Sequence, residues 1–281
     1  MKTQIKSMIL MAVSIAFLWV GCSGNSKEGQ KTASSRTASV QEYDDPVEYI
    51  GTGEPKYKVY VGTETQDFPD ASIDEWKYEN GRFDFSIGGD SYQLQAQTPD
   101  ASSLMCANSD EGQHLHVILN KRPYSAQYTP SFDFDIPNGQ HHLLVFLSKS
   151  YHESLKHPEA HIARLVDVQD GNITNEWNIP DPALFYSRPT GNYVGEDTEK
   201  ILLDFYPLNI ELGVDAKIKM QVNGEQYYLY EWKPYFIEGL PYGDNDVGIQ
   251  LVDMNGQPLQ GSITSHFRKF KLIRAPREMM N

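Results

Sequence analysis

The 281 residues carry 24 Lys and Arg against 38 Asp and Glu, a formal net charge of −14 at pH 7 with histidine neutral. Removal of residues 1–21 takes away two lysines and no acid, leaving 22 − 38 = −16; so acidic a surface repels nucleic acid and anionic headgroups and argues against both as partners. With two cysteines in the chain, Cys22 and Cys106, a disulfide scaffold is excluded once Cys22 is used otherwise, and stability must come from burial.

The chain opens as an export signal. Lys2 and Lys6 precede the apolar run 8–20, which is too short to span a bilayer as a helix. The run ends at Trp19-Val20-Gly21-Cys22, which resembles the lipobox of bacterial lipoproteins, with Trp19 where leucine is usual. The resemblance implies a signal peptide over 1–21, lipidation of Cys22 and anchorage to a cell-envelope membrane, the outer membrane by expectation. Residues 22–54 are polar and without hydrophobic period, and read as a flexible tether able to hold the folded part about 30 Å from the membrane.

Residues 55–169 read as a first β-sandwich domain. Tyr57, Val59 and Val61 alternate as its first strand and 67–76 reads as a loop. Phe83, Phe85 and Ile87 then pair, through a Gly88-Gly89-Asp90 turn, with Tyr92, Leu94 and Ala96. Residues 97–113 form a polar connection holding Met105 and Cys106, the latter expected to be a small buried apolar residue. Residues 151–158 read as a loop with a helical turn, and 162–168 as a strand. The segment 170–200 is rich in Pro and Gly but holds Leu184, Phe185, Tyr186 and Tyr193, so it is expected to pack across a domain junction. Residues 201–275 read as a second sandwich, with strands at 201–205 and 208–212 and a closing strand carrying Phe267, Phe270 and Leu272.

The two-domain reading rests on a duplication. Pro130, Phe132, Ile136, Pro137 and Gly139 precede Pro234, Phe236, Leu240, Pro241 and Gly243 by 104 residues, as do Leu143, Val145 and Leu147 their counterparts Val247, Ile249 and Leu251. Upstream, with one extra residue in the second copy, Leu115, Val117, Leu119 and Asn120 match Ile218, Met220, Val222 and Asn223. Apolar residues at every second position place one face of each strand in a core. Short strands joined by turns such as Asn223-Gly224 give an all-β fold of two tandem immunoglobulin-like β-sandwich domains.

Seven of the eight histidines lie between His114 and His161. On their strands His114, His116 and Ile118, and likewise His142, Leu144 and Phe146, face away from the first core. The second copy carries Lys217, Lys219, Gln221, Gly248 and Gln250 there, which suit water. The outer face of the first domain must therefore be covered, by the 170–200 segment, the N-terminal segment, the other domain or an external ligand. His114, His116 and His142 are the candidate ligands for zinc or copper, since a His-x-His pair on a strand presents two imidazoles to one ion and a third completes the set. Hydrogen-bonded histidines in a semi-buried interface are the competing reading. Met105 and Cys106 are candidate soft ligands for copper(I).

Tyr228, Tyr230 and Trp232 alternate on one strand and form a candidate glycan platform, or else one wall of a core. Asp133 and Asp135 have neither the spacing nor the closing Glu of a calcium loop, and residues 188–195 form a basic, glycine-bearing turn. Neither a Gly-x-Ser-x-Gly, a His-Glu-x-x-His nor a Walker loop occurs, so no enzyme is expected.

Four passages, Cys106-Ala-Asn-Ser with Gly112-Gln-His-Leu-His116, Phe146-Leu-Ser-Lys-Ser-Tyr-His-Glu-Ser-Leu155, Leu184-Phe-Tyr-Ser-Arg-Pro189, and Pro234-Tyr-Phe-Ile-Glu-Gly-Leu-Pro241, together resemble a family of exported lipoproteins of Bacteroidota-type bacteria. The similarity spans about residues 83–272 and implies an envelope address but no established activity. A phosphopeptide-binding label sometimes attached to such proteins has no support in these residues, which assemble no arginine cluster. The expected function is a lipid-anchored envelope binding or scaffold protein, with an unknown envelope protein or glycan as partner; the alternatives are transition-metal binding and glycan binding.

Overall fold

The computed structural model describes residues 45–63 and 65–275; the signal sequence, Cys22 and most of the expected tether lie outside the described residues. Strands are numbered in chain order. The first sandwich sets a sheet β3-β4-β7 (Ser72–Glu79, Arg82–Gly88, Ser131–Asp133) against a sheet β10-β9-β8-β5-β6 (Asn172–Trp177, His161–Gln169, Gly139–Ser148, His114–Leu119, Ser125–Gln127). The second sets β11-β13-β16-β2 (Ala183–Arg188, Lys200–Leu208, Tyr235–Glu238, Lys58–Val61) against β1-β15-β14-β17-β18-β12 (Val47–Tyr49, Glu225–Leu229, Ala216–Val222, Gly243–Asp253, Ser265–Ile273, Gly191–Val194). Setting aside β1, β2, β10 and β12, each sandwich places its first, second and fifth strands in one sheet and its third, fourth, sixth and seventh in the other. This is a Greek-key order of the immunoglobulin-like kind.

The duplication holds down to register. Leu115, Val117 and Leu119 pair with Leu147, Val145 and Leu143; Ile218, Met220 and Val222 pair with Leu251, Ile249 and Val247. All twelve side chains are buried, six in each core, and each contributes about 1.5–3 kcal/mol through burial. The turn that closes each copy is also the same. Asn120 and Asn223 adopt left-handed backbone (φ 55° and 45°), which asparagine tolerates. Their Oδ1 atoms accept from the backbone N–H of His142 at 2.8 Å and of Asp246 at 2.9 Å, pinning the third strand to the sixth.

The outer face of β5 and β8 is covered, as the apolar residues on it require. Ile118, Leu144 and Phe146 pack against Ile179, Ala183, Phe185, Tyr206 and Ile263, so the cover comes from the 170–200 segment together with the second sandwich. The protein thus stacks four sheets around three apolar layers. Across the middle layer, Lys156 Nζ meets Asp204 Oδ1 at 2.6 Å; within the second sandwich, Trp232 Nε1–H donates to Phe205 O at 2.9 Å.

The expected domain boundaries need correction. β2 pairs with β16, and β1, within the expected tether, pairs with β15; both strands belong to the second sandwich, where Val47, Tyr49, Val59 and Val61 pack on its core. The first sandwich occupies 66–177, inserted between β2 and β11. The 170–200 segment is not one connector: β10 ends the first sandwich, while β11 and β12 belong to the second. The partner of β4 is β3, which begins inside the expected loop 67–76, and not 92–96, which forms no strand. A register shift between Ile73 and Glu75 breaks the alternation that would have revealed β3. Residues 209–212 also form no strand, the chain turning at Asn209 with φ 55°. On β18, Phe270 and Leu272 face the core but Phe267 turns outward.

Candidate metal centre between the sandwiches

Three imidazoles converge where β5 meets the loop after β8. His114 and His116 are two residues apart on β5, so both point away from the first core; both are fully buried beneath the second sandwich. His152 arrives from the tight turn 149–153, whose ends are tied by Lys149 N–H donating to Glu153 O and His152 N–H to Lys149 O, each at 2.9 Å. His152 holds φ at 69°, an αL conformation that costs a residue with a Cβ about 1–2 kcal/mol. Below it, Lys149 Nζ and Glu153 Oε1 pair at 2.7 Å in a buried ion bridge shared with Thr65. Strain held by a rigid surround is a mark of a functional position.

The nitrogens form a small triangle. His114 Nε2 lies 2.9 Å from His116 Nε2 and 3.0 Å from His152 Nδ1, and the third side measures 3.4 Å. His114 Nδ1–H donates to Gly112 O at 2.7 Å. A carbonyl only accepts, so the neutral ring turns a lone pair into the triangle from Nε2. Gly112 has φ 84°, and a Cβ there would meet Gln95 O and Ala96 O at 2.5 and 2.6 Å; only glycine fits at the residue that sets this tautomer. His116 Nδ1 lies 3.1 Å from Ser187 Oγ of β11, so the second sandwich orients the second ring. Tyr124 stacks flat on His116, centroids 3.7 Å apart, and Tyr128 tilts against His114.

Burial keeps these rings neutral. His114 is pushed down to about 4, first by desolvation. His116 and His152 lie well below the usual histidine range, again mainly by desolvation, with Arg188 adding a repulsive positive field. Three neutral rings cannot satisfy all three sides of the triangle. Each triangle atom is either an N–H or a lone pair, so at least two of the three are alike, and at least one side opposes donor to donor or acceptor to acceptor. A single cation removes the conflict by accepting three lone pairs. With these separations, His114, His116 and His152 would hold one zinc or copper(II) ion through three nitrogens, for which the usual zinc–nitrogen distance is about 2.0–2.1 Å.

The structure brings two of the three candidate histidines together and not the third. In the antiparallel pair, His114 faces Ser148 and His116 faces Phe146, so His142 lies four residues further along β8, roughly 13 Å away. It is half-buried, with Nε2 3.2 Å from Ser262 Oγ. His152 takes its place. Cys106 is not in the group; it is buried against Leu104, Tyr151, Leu202 and Phe236, with burial pushing its thiol up to about 12. Met105 is exposed. The donor set is therefore all imidazole, which suits zinc or copper(II) rather than copper(I).

The aromatic row does not form a platform. Trp232 leaves the strand and packs edge-on against Tyr206 in the middle layer. Tyr230 is buried and donates to Glu48, while Lys217 Nζ lies 3.7 Å over the Tyr228 ring. Arg188, at the head of the basic turn, is buried, donating to Tyr193 Oη at 2.8 Å and lying over Tyr124; it presents no surface to an anion.

No protein-family model and no curated protein matches this chain. Among solved structures it is similar to the fibronectin(III)-like modules of Clostridium thermocellum CbhA, at 14% identity over 33% of this chain and 98% of that chain (TM-score 0.27). It is similar to the extracellular domain of a hybrid two component system from B. thetaiotaomicron, at 11% identity over 76% and 40% (TM-score 0.27). It is also similar to the Bacteroides ovatus mixed-linkage glucan utilization locus protein SGBP-B, solved with a mixed-linkage heptasaccharide, at 13% identity over 76% and 47% (TM-score 0.17). Likenesses at these scores carry no inference about ligand or partner; the fold stands on the strand order itself.

Proposed function

We propose that the protein is a non-catalytic, lipid-anchored module of the cell envelope that holds a zinc or copper(II) ion through His114, His116 and His152. The observation that carries the metal reading is the nitrogen triangle, 2.9–3.4 Å on each side, one side of which sets like against like unless a cation accepts the lone pairs. Arg188 weighs against any added positive charge there, and chelation by three preoriented rings offsets it. The triad is sealed under the second sandwich, whereas a catalytic metal keeps a coordination position open to substrate; this supports a structural or storage role and no turnover. The envelope address rests on the lipobox-like Trp19-Val20-Gly21-Cys22, and labelled fatty acid should be incorporated by the wild type and lost on Cys22→Ser.

The metal test is elemental analysis of protein purified without chelators. About one zinc or copper per chain is expected, lost in His116→Ala and in His152→Asn and retained in His142→Ala. A metal-free native protein that also fails to take up added zinc or copper refutes the reading, as does equal loss in His142→Ala. Removing the ion should lower the melting temperature, since a ligand held at 100 times its Kd stabilises by about 2.7 kcal/mol.

A further inference from the structure

A second candidate site lies on the outer face of the second sandwich, independent of the histidines. A row of residues crosses four strands there: Gln226 pairs with Gln221, Gln221 with Gly248, and Gly248 with Phe267. At about 4.8 Å per strand the row is roughly 14 Å long. Phe267 is 53% exposed, and its ring lies beside Gly248, where a Cβ would meet it at 3.5 Å. The residues bound a groove of about 610 Å³. Its far wall comes from the first sandwich, where Lys121 is held by the Arg268 guanidinium donating to its carbonyl.

The charge of the groove runs against that of the protein. The chain has a net charge of −14, yet the lining includes Lys121, Lys219 and Arg268 and no carboxylate. Among the described residues neither Lys121 nor Lys219 is paired with an acid. In the first sandwich the positions equivalent to Gly248 and Gln250 are Leu144 and Phe146, buried at the interface; here they face solvent.

We propose that this groove binds a strand of acidic polysaccharide. The apolar face of a sugar ring lies on Phe267, as it does on any flat aromatic surface. The amides of Gln221, Gln226 and Gln250 each donate and accept, matching hydroxyl groups that do the same. Lys219 and Lys121 meet the acid groups. An acidic peptide is the less suitable occupant: peptides add at sheet edges through backbone hydrogen bonds, and the backbone groups of β14 and β17 are already paired on both sides.

The test is titration calorimetry of the full chain at low salt with polygalacturonate, dextran sulfate, neutral dextran and polyglutamate. Polygalacturonate or dextran sulfate should bind at least about tenfold more tightly than dextran or polyglutamate, and Phe267→Ala and Lys219→Glu, both on the surface, should each weaken binding by about tenfold. Binding of one acidic polysaccharide alone assigns the charge to carboxylate or to sulfate. Failure of both to bind, equal binding of polyglutamate, equal binding of dextran, or unchanged binding by both variants overturns the proposal. None of these outcomes bears on the histidine site, which is read by elemental analysis.

Discussion

Phe146 and Gln250 occupy the same place in the two copies of the repeat, 104 residues apart on β8 and β17, and the fold gives them opposite surroundings. Phe146 is fully buried in the middle layer, stacked on Tyr206 with ring centroids 5.4 Å apart and tilted against His116. Gln250 stands on the wetted outer face. A phenylalanine buries about 150–250 Å²; at about 25 cal/mol per Å² this is worth roughly 4–6 kcal/mol as an upper bound, and Phe→Ala truncations in cores cost about 3–5 kcal/mol. Phe146→Ala should therefore remove about 3–5 kcal/mol, a large part of the 5–15 kcal/mol typical of a folded domain, while Gln250→Ala should change stability by no more than about 0.5 kcal/mol. Equilibrium urea unfolding, followed by circular dichroism and by tryptophan fluorescence, reads both. A Phe146→Ala cost below about 1 kcal/mol, or equal costs for the two, would mean that the sandwiches do not close on this face.

His266 offers a pH test away from the histidine triad. It donates from Nε2 to Leu184 O, and burial pushes it down to about 4. A histidine kept neutral in the fold but free to protonate when unfolded, near 6.5, contributes stability that is intact above pH 6.5 and is lost as pH falls toward 4. Between pH 7 and pH 4.5 the loss is about 2 kcal/mol. His266→Gln keeps a donor and cannot titrate, so its urea midpoint should fall less over that interval; an equal fall in both proteins defeats the assignment. The chain 201–275, which looks like a domain by sequence, lacks β1, β2, β11 and β12 and should show no cooperative thermal transition, whereas 45–275 should; a cooperative melt of 201–275 contradicts the strand assignment.

The sequence made the inner faces of the repeat legible because alternation is a local signal, and Leu115, Val117, Met220 and Ile249 all point where it says. It also showed that the backs of β5 and β8 must be covered, since Ile118, Leu144 and Phe146 are too apolar for water. Alternation does not say which sandwich a strand joins. Tyr57-x-Val59-x-Val61 is an unmistakable strand, yet its partner, β16, lies nearly 180 residues further on, and β3 is hidden by its own register shift. The histidine set was half legible. His114 and His116 follow from strand geometry, but choosing His142 required the register of β5 against β8, which places it at the wrong end. With His114 opposite Ser148, a histidine in the turn just after Ser148 is the one able to reach it. His152 carried that signal in a loop without periodicity.

Insertion of residues 66–177 between β2 and β11 has a consequence for the growing chain. The inserted sandwich is complete once β10 has been made. The host must wait for β18 before β1 and β2 acquire all the neighbours of a closed pair of sheets. During that interval Ile118, Leu144, Phe146 and the three imidazoles lie bare on one side of a finished domain. A newly made chain therefore passes through a form with this apolar side bare, and arrival of the last hundred residues hides it together with the three imidazoles.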